Sequence, residues 1–147
     1  MTTSKRMQSL SRLFETLRGG LIVAAAESSQ GTVRLIVENR PALSAIRDSW
    51  GRVAVTLSGC RGFGFTSADG VVPVDLARIV AGLKPVVREA HCHDGVCRVE
   101  CSFGLTVGSL EIDADSFAIM LGGGRTLSLG ELLGELTPAA PAYARAS

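Results

Sequence analysis

The sequence predicts an α+β fold: an antiparallel sheet built from consecutive hairpins, with short amphipathic helices covering one face. A curled or barrel-like sheet is the alternative arrangement. Three observations carry this. Apolar and polar residues alternate in paired short runs, the period of a half-buried strand. Turn residues separate the runs, most clearly Asp94-Gly95 between VVREAHCH and VCRVECSF. Segments of helical spacing lie between the pairs, and residues 4–18 are the clearest of them.

In chain order, residues 4–18 place Met7, Leu10, Leu13, Phe14 and Leu17 on one stripe, with Lys5, Arg12 and Glu15 opposite and Gly19-Gly20 as the stop. Runs Leu21–Ala26 and Thr32–Glu38 form a hairpin around Ser28–Gly31, with Ile22, Ala24 and Ala26 facing Val37, Leu35 and Val33. Pro41 opens a short helix ending near Trp50-Gly51, with Trp50 as a core anchor. Arg52–Ser58 turns Val53, Val55 and Leu57 to one side and pairs with a strand carrying Phe63 and Phe65, Leu57 opposite Phe63. Asp69-Gly70 makes a turn, and Val74–Leu83 reads as a helix closed by Gly82 and Pro85. Leu110–Ala114 and Phe117–Leu121 form a last hairpin around Asp115-Ser116, Ile112 opposite Ile119 and Leu110 opposite Leu121. Gly122–Arg125 lacks the Gly-Lys-Ser/Thr ending of a phosphate loop and reads as a flexible connection. Ser128 and Glu131 make a capping box for a final helix through Leu136. One domain therefore spans 1–136, followed by a flexible Ala/Pro-rich tail, 137–147. Helices and hairpins alternate loosely, and no residue-level repeat is visible.

Both histidines and three of the four cysteines fall between Val86 and Phe103. A two-residue Asp-Gly loop sets His93 opposite Val96, Cys92 opposite Cys97 and Arg88 opposite Cys101. Alternation then sends Val86, Ala90, Cys92, Cys97, Val99, Cys101 and Phe103 to a core face, with Arg88 its one polar member. Glu89, His91, His93, Arg98, Glu100 and Ser102 go to the solvent face. One zinc ion cannot easily take ligands from both faces, and C-x4-C-x3-C lacks the C-x2-C knuckle. The cysteines read as small buried hydrophobes, although Cys92 and Cys97 stand close enough in this register for a cross-strand disulfide. His91 and His93, with Glu89 and Glu100 near, are the candidate metal ligands on the solvent face. Cys60, in the Ser58–Gly62 connection beside Arg61, is the candidate reactive thiol.

The totals exclude some partners. Net charge is +1 and aromatic residues are 5% of the 147, which argues against a nucleic-acid surface. No apolar run approaches the roughly 18 residues of a membrane helix. Leu21–Ala26 is also short for a signal-peptide core of about 7–15 residues. Four cysteines are too few for a disulfide scaffold, and a reducing cytoplasm is expected.

No acid–base pair, nucleotide loop or triad stands out. The expected function is a non-enzymatic binding or regulatory module acting through protein contacts, with a protein partner or as a homodimer through an edge strand, and without a cofactor. Two alternatives stand beside it. One is a metal-binding protein or metal-dependent enzyme using His91 and His93. The other is a binder of small apolar ligands with a pocket lined by Phe63, Phe65, Phe103 and Phe117.

Overall fold

A computed structural model describes residues 2–28, 30–67, 73–74, 84–103 and 106–136. Helix α1 spans Thr2–Thr16, followed by β1 (Leu21–Glu27), β2 (Val33–Glu38), α2 (Arg40–Leu43) and a 3-10 turn, Arg47–Ser49. Then come β3 (Arg52–Ser58), β4 (Gly62–Ser67), β5 (Pro73–Val74), β6 (Val86–His93), β7 (Val96–Phe103) and β8 (Thr106–Asp113). The chain continues with β9 (Ser116–Leu121), β10 (Thr126–Leu127) and α3 (Leu129–Leu136). The expected Asp69-Gly70 turn, nearly all of the expected Val74–Leu83 helix and the 137–147 tail lie outside the described residues; Val74 itself is in β5.

The strands form one antiparallel sheet in the order β10-β9-β3-β2-β1-β6-β7-β8-β4-β5. This order reveals a duplication that the sequence alone hides. Advancing each of the first five strands by five, and taking each of the last five back by five, reproduces the same order from the other end. Each half of the chain contributes a three-stranded meander and lends its last strand pair to the edge of the other's meander, so the first half of the sheet is β1–β3 with β9 and β10, and the second is β6–β8 with β4 and β5. The halves meet where Leu21 pairs with Val86. Even the irregularities match: a bulge falls after the second residue of β1, at Val23, and after the second residue of β6, at Arg88. In sequence, Leu76, Ile79, Val80 and Leu83 also keep the spacing of Leu129, Leu132, Leu133 and Leu136.

The bulges correct two expected registers. Ile22 faces Val37 as expected, but beyond Val23 it is Ala25 that faces Leu35, so Ala24 and Ala26 turn to the opposite side. In β6 the extra residue lets Val87, rather than Arg88, face Cys101, and Val87 is fully buried. A bulge places two residues against one, and here it removes the single charged residue from the core face. Arg88 instead donates from Nε to Ser102 Oγ at 2.8 Å.

Two expected hairpins do not form. β3 pairs with β2 and β9, whereas β4 pairs with β8, Phe63 against Ile112 and Phe65 against Leu110. Segments Gly59–Arg61 and Ala114–Asp115 are therefore crossings between the halves rather than hairpin turns. They are pinned to each other: Arg61 pairs with Asp113 (2.9 Å) and Asp115, and the Asp115 N–H donates to the Ser58 carbonyl at 3.0 Å.

The core face is continuous across both halves, from Val33, Leu35, Val37, Val53, Val55 and Leu57 to Cys97, Val99, Cys101, Leu110 and Ile112. Met7, Leu10, Leu13, Phe14 and Leu17 are fully buried, and α1 packs against β6 and β7 of one half and β9 of the other. Contact with strands so far apart in the order requires the sheet to curl around α1. It is not closed; β10 and β5 remain its edges among the described residues.

Candidate functional site

The halves differ most between their second and third strands. Residues 104 and 105 alone separate β7 from β8, but residues 39–51 separate β2 from β3. This insertion is tightly built. Asn39, 7% exposed, caps α2 by accepting from the Ala42 N–H at 3.0 Å, and its Nδ2 donates to the carbonyls of Leu17 (3.0 Å) and Arg18 (3.1 Å). Leu43 and Ile46 are buried, and Ser49 Oγ donates to the Ile46 carbonyl at 2.6 Å, with the Leu43 carbonyl 3.2 Å away, while accepting from the Gly51 N–H. The helix expected from Pro41 to Trp50 thus stops at Leu43 and resumes only as the 3-10 turn.

Its other side is held by the β9–β10 turn. Gly122 and Gly123 donate their N–H groups to the carbonyls of Ser49 (3.1 Å) and Asp48 (2.8 Å). A Cβ at either glycine would collide with those carbonyls. Gly122 and Gly123 are therefore closely packed in this turn, whereas Gly124, at φ +104°, has open space around it. Arg125 closes the arrangement, donating to both Asp48 oxygens (2.8 and 3.0 Å) and both Glu135 oxygens (2.6 and 2.7 Å). Those hydrogen bonds hold both carboxyls below their ordinary pKa.

The product is an exposed tryptophan. Trp50 is 68% exposed and sits at φ +55°. A bulky side chain in the left-handed region costs about 1–2 kcal/mol, and here that conformation leaves most of the indole in solvent. The expected core anchor is overturned, because Leu43 and Ile46 already fill the space beneath the insertion. Strain of this kind concentrates at functional positions.

Beside Trp50, residues Arg34, Ile36, Arg52, Ala54, Met120, Leu121 and Gly122 complete a groove of about 180 Å3. Its floor belongs to a cross-strand row, Ala24–Ile36–Ala54–Met120, on the face of the sheet opposite Leu35 and Val55. The matching row of the other half is Glu89–Glu100–Ser109–Thr66. One is apolar and the other polar, at equivalent positions of one fold. Arg34 and its equivalent Arg98 differ in pairing too. Arg98 meets Glu100 at 3.2 Å and Glu111 at 3.7 Å, whereas Arg34 is exposed and has no ion-pair partner among the described residues.

The residues singled out from the sequence are placed as follows. Asp94 (φ +52°) and Gly95 (φ +78°) form the hairpin tip, with Cys92 opposite Cys97 and His93 opposite Val96 as expected. His91 and His93 are exposed on the solvent face; His93 Nε2 lies 3.3 Å from Asp94 Oδ2. Glu89 faces Glu100, whose carboxylate accepts from Ser109 Oγ at 2.8 Å. Among the described residues, no group of three or more His, Cys, Asp or Glu is placed to hold a metal ion. Cys60 is half-buried against the core, and burial first, then Glu27 and Asp113, pushes its thiol up despite Arg61. Burial raises Cys97 and Cys101 to about 12. Phe65 is fully buried, and Phe63 and Phe117 pack partly buried against the core. The Phe103 side chain lies outside the described residues. Phe63 also borders a groove of about 450 Å3 with Gly62, Gly64, Thr66, Val96, Glu111 and Asp113. No helix among the described residues is long and apolar enough to cross a membrane.

Sequence reasoning missed Trp50, Ile36 and Met120. Alternation with Leu35 and Val37, and with Ile119 and Leu121, turns Ile36 and Met120 outward, but it does not single them out as a contact surface, and Trp50 lies in the insertion, outside any strand. No protein-family model matches the chain, and no curated protein matches it in sequence.

Proposed function

We propose that the protein is a binding module that acts through protein contacts, and that its contact surface is the outward face of the first half: Trp50, Ile36 and Met120 over the buried Ala54, with Ala24 and Ala118 beside them. The amphipathic helices back the other face of the sheet in this reading and leave this one to the partner. The contrast between the two rows supports it. The same fold accepts Glu100, Ser109 and Thr66 where the first half carries Ile36, Ala54 and Met120, so folding does not demand the apolar set. Tryptophan, methionine and arginine are also the residues enriched in interface centres. Contact through an edge strand has less to support it, because the two edges among the described residues, β5 and β10, are two residues long.

The test uses a photo-crosslinking residue placed in turn at Ala118 and at its equivalent Gly64, in the protein's native host. Ala118 is exposed, and a side chain at Gly64 meets nothing within 4 Å. The expected result is protein adducts from position 118 that disappear when Ile36→Glu is added, with none from position 64. Equal adducts from both positions, or none from 118, would overturn the reading.

A further inference from the structure

We infer that the occupant of the Trp50 groove is an acidic peptide segment of another protein, which seats one large apolar side chain between Trp50 and Met120 and sets its carboxylates against Arg34 and Arg52. This rests on the reading of the face as a protein-binding surface and specifies its partner.

The volume comes first. Whole small-molecule sites occupy about 300–1,000 Å3. A groove of about 180 Å3 is the size of a side-chain pocket, the form in which an interface takes an anchor residue. The lining has no buried charge that would demand a polar ligand. Ile36, Ala54, Met120 and the indole of Trp50 offer an apolar slot open on one side.

The charge comes second. Arg40 and Arg52 reach the same carboxylate, Glu38, at 3.7 and 3.3 Å. Arg34, on the other side of Ile36 along β2, has no ion-pair partner among the described residues. Two guanidinium groups, Arg34 and Arg52, therefore line the slot, and the one carboxylate beside them, Glu38, is shared by Arg52 with Arg40. At the equivalent of Arg34 the second half holds Arg98 against Glu100 and Glu111. The first half has Ile36 and Thr56 where those two acids stand. An incoming chain that supplies carboxylates restores the missing partners, and guanidinium–carboxylate pairs form strong, oriented hydrogen bonds. A second copy of this chain fits less well. Twofold self-pairing sets a patch against itself, and here it would oppose two faces of the same positive sign.

Trp50 is the single tryptophan of the chain, so its fluorescence reports the groove directly. The experiment titrates the full chain with a synthetic hexapeptide of Asp and Glu around one central Phe. Two control peptides replace the acids with Lys or the Phe with Ser. Expected is a shift of Trp50 emission to shorter wavelength with the acidic Phe peptide alone. Its affinity should fall about tenfold in Arg34→Gln, and fall again with added salt. Arg34→Gln changes an exposed side chain and should melt like the parent. Equal response to the Lys peptide, or unchanged affinity in Arg34→Gln, would overturn the inference. So would an emission shift that follows protein concentration without peptide, the mark of self-association. If position 118 forms protein adducts in the host while no acidic peptide moves the emission, the acidic partner is wrong and the contact face stands.

Discussion

The two halves of this protein are built alike and finished differently. Both carry a three-stranded meander with a bulge at the third residue of the first strand, and both take an edge pair from the other half. On the core side they agree in kind: Val33, Leu35 and Leu57 in one half correspond to Cys97, Val99 and Ile112 in the other. On the outward side they diverge, with an apolar row, an arginine that has no ion-pair partner among the described residues and a strained tryptophan in the first half against a polar, ion-paired row in the second. Positions where the halves agree report what the fold requires. Positions where they differ report what has been added to it, and a molecule with an internal duplicate carries its own control.

The largest expected break comes from forcing one core position to match the other. Val53 in the first half corresponds to Gly108 in the second, where a Cβ would stand 2.7 Å from the Thr66 carbonyl and 2.8 Å from the Phe65 ring. Gly108→Val should cost about 4 kcal/mol in urea unfolding, an overpacking effect against backbone that cannot retreat. A neutral result would mean that Phe65 does not fill the space over Gly108.

The thiols give the next effect, and they sharpen the comparison because Cys97 and Cys101 stand where the first half has Val33 and Val37. Burial raises both from 9.0 to about 12. Unfolded thiols ionise near their ordinary value while folded ones keep their protons. Above it the unfolded state therefore binds fewer protons, and stability falls as pH rises, the loss completing near the folded value. The expected loss between pH 9 and 11 is on the order of 2 kcal/mol for each thiol. The double variant Cys97→Val, Cys101→Val should flatten that slope while leaving stability below pH 8 nearly level. A parent chain with no slope above pH 9 would contradict the burial of these thiols.

A smaller effect belongs to the hairpin tip. Gly95 holds φ +78°, which a β-branched residue resists, so Gly95→Val should cost about 1–2 kcal/mol in thermal or urea unfolding. His91→Ala with His93→Ala should change stability by less than about 0.5 kcal/mol, since exposed side chains contribute little. Melting with and without chelator checks the metal alternative at the same time: a large drop on chelation would establish a site at His91 and His93.

How much of this was legible in the sequence follows from the range of each signal. Helical periodicity found α1 and the buried stripe from Met7 to Leu17, and turn chemistry found the Asp94-Gly95 tip and the Ser128–Glu131 cap, because each is written within a few residues. Strand pairing beyond neighbours was not legible. The apolar sets of Arg52–Ser58 and Phe63–Phe65 match each other as well as they match their true partners, so alternation cannot choose between them. The bulges at Val23 and Arg88 hid the duplication and reversed the facing of Ala24 and Val87. Arg88 on an otherwise apolar face was the signal that could have exposed the second bulge. Trp50 was misread because a lone tryptophan is usually buried, and only the packing of Leu43, Ile46, Gly122 and Gly123 shows that no room was left for it.

The central claim is that the apolar row of the first half serves contact rather than folding. The direct measurement writes the second half's residues into it, Ile36→Glu with Met120→Thr, and compares the unfolding free energy with that of the parent at neutral pH. The account predicts a change within about 0.5 kcal/mol, the range of surface substitutions, with Trp50 emission unmoved in the absence of peptide. A loss above about 2 kcal/mol would show that Ile36 and Met120 are packed as part of the fold, and would contradict the claim.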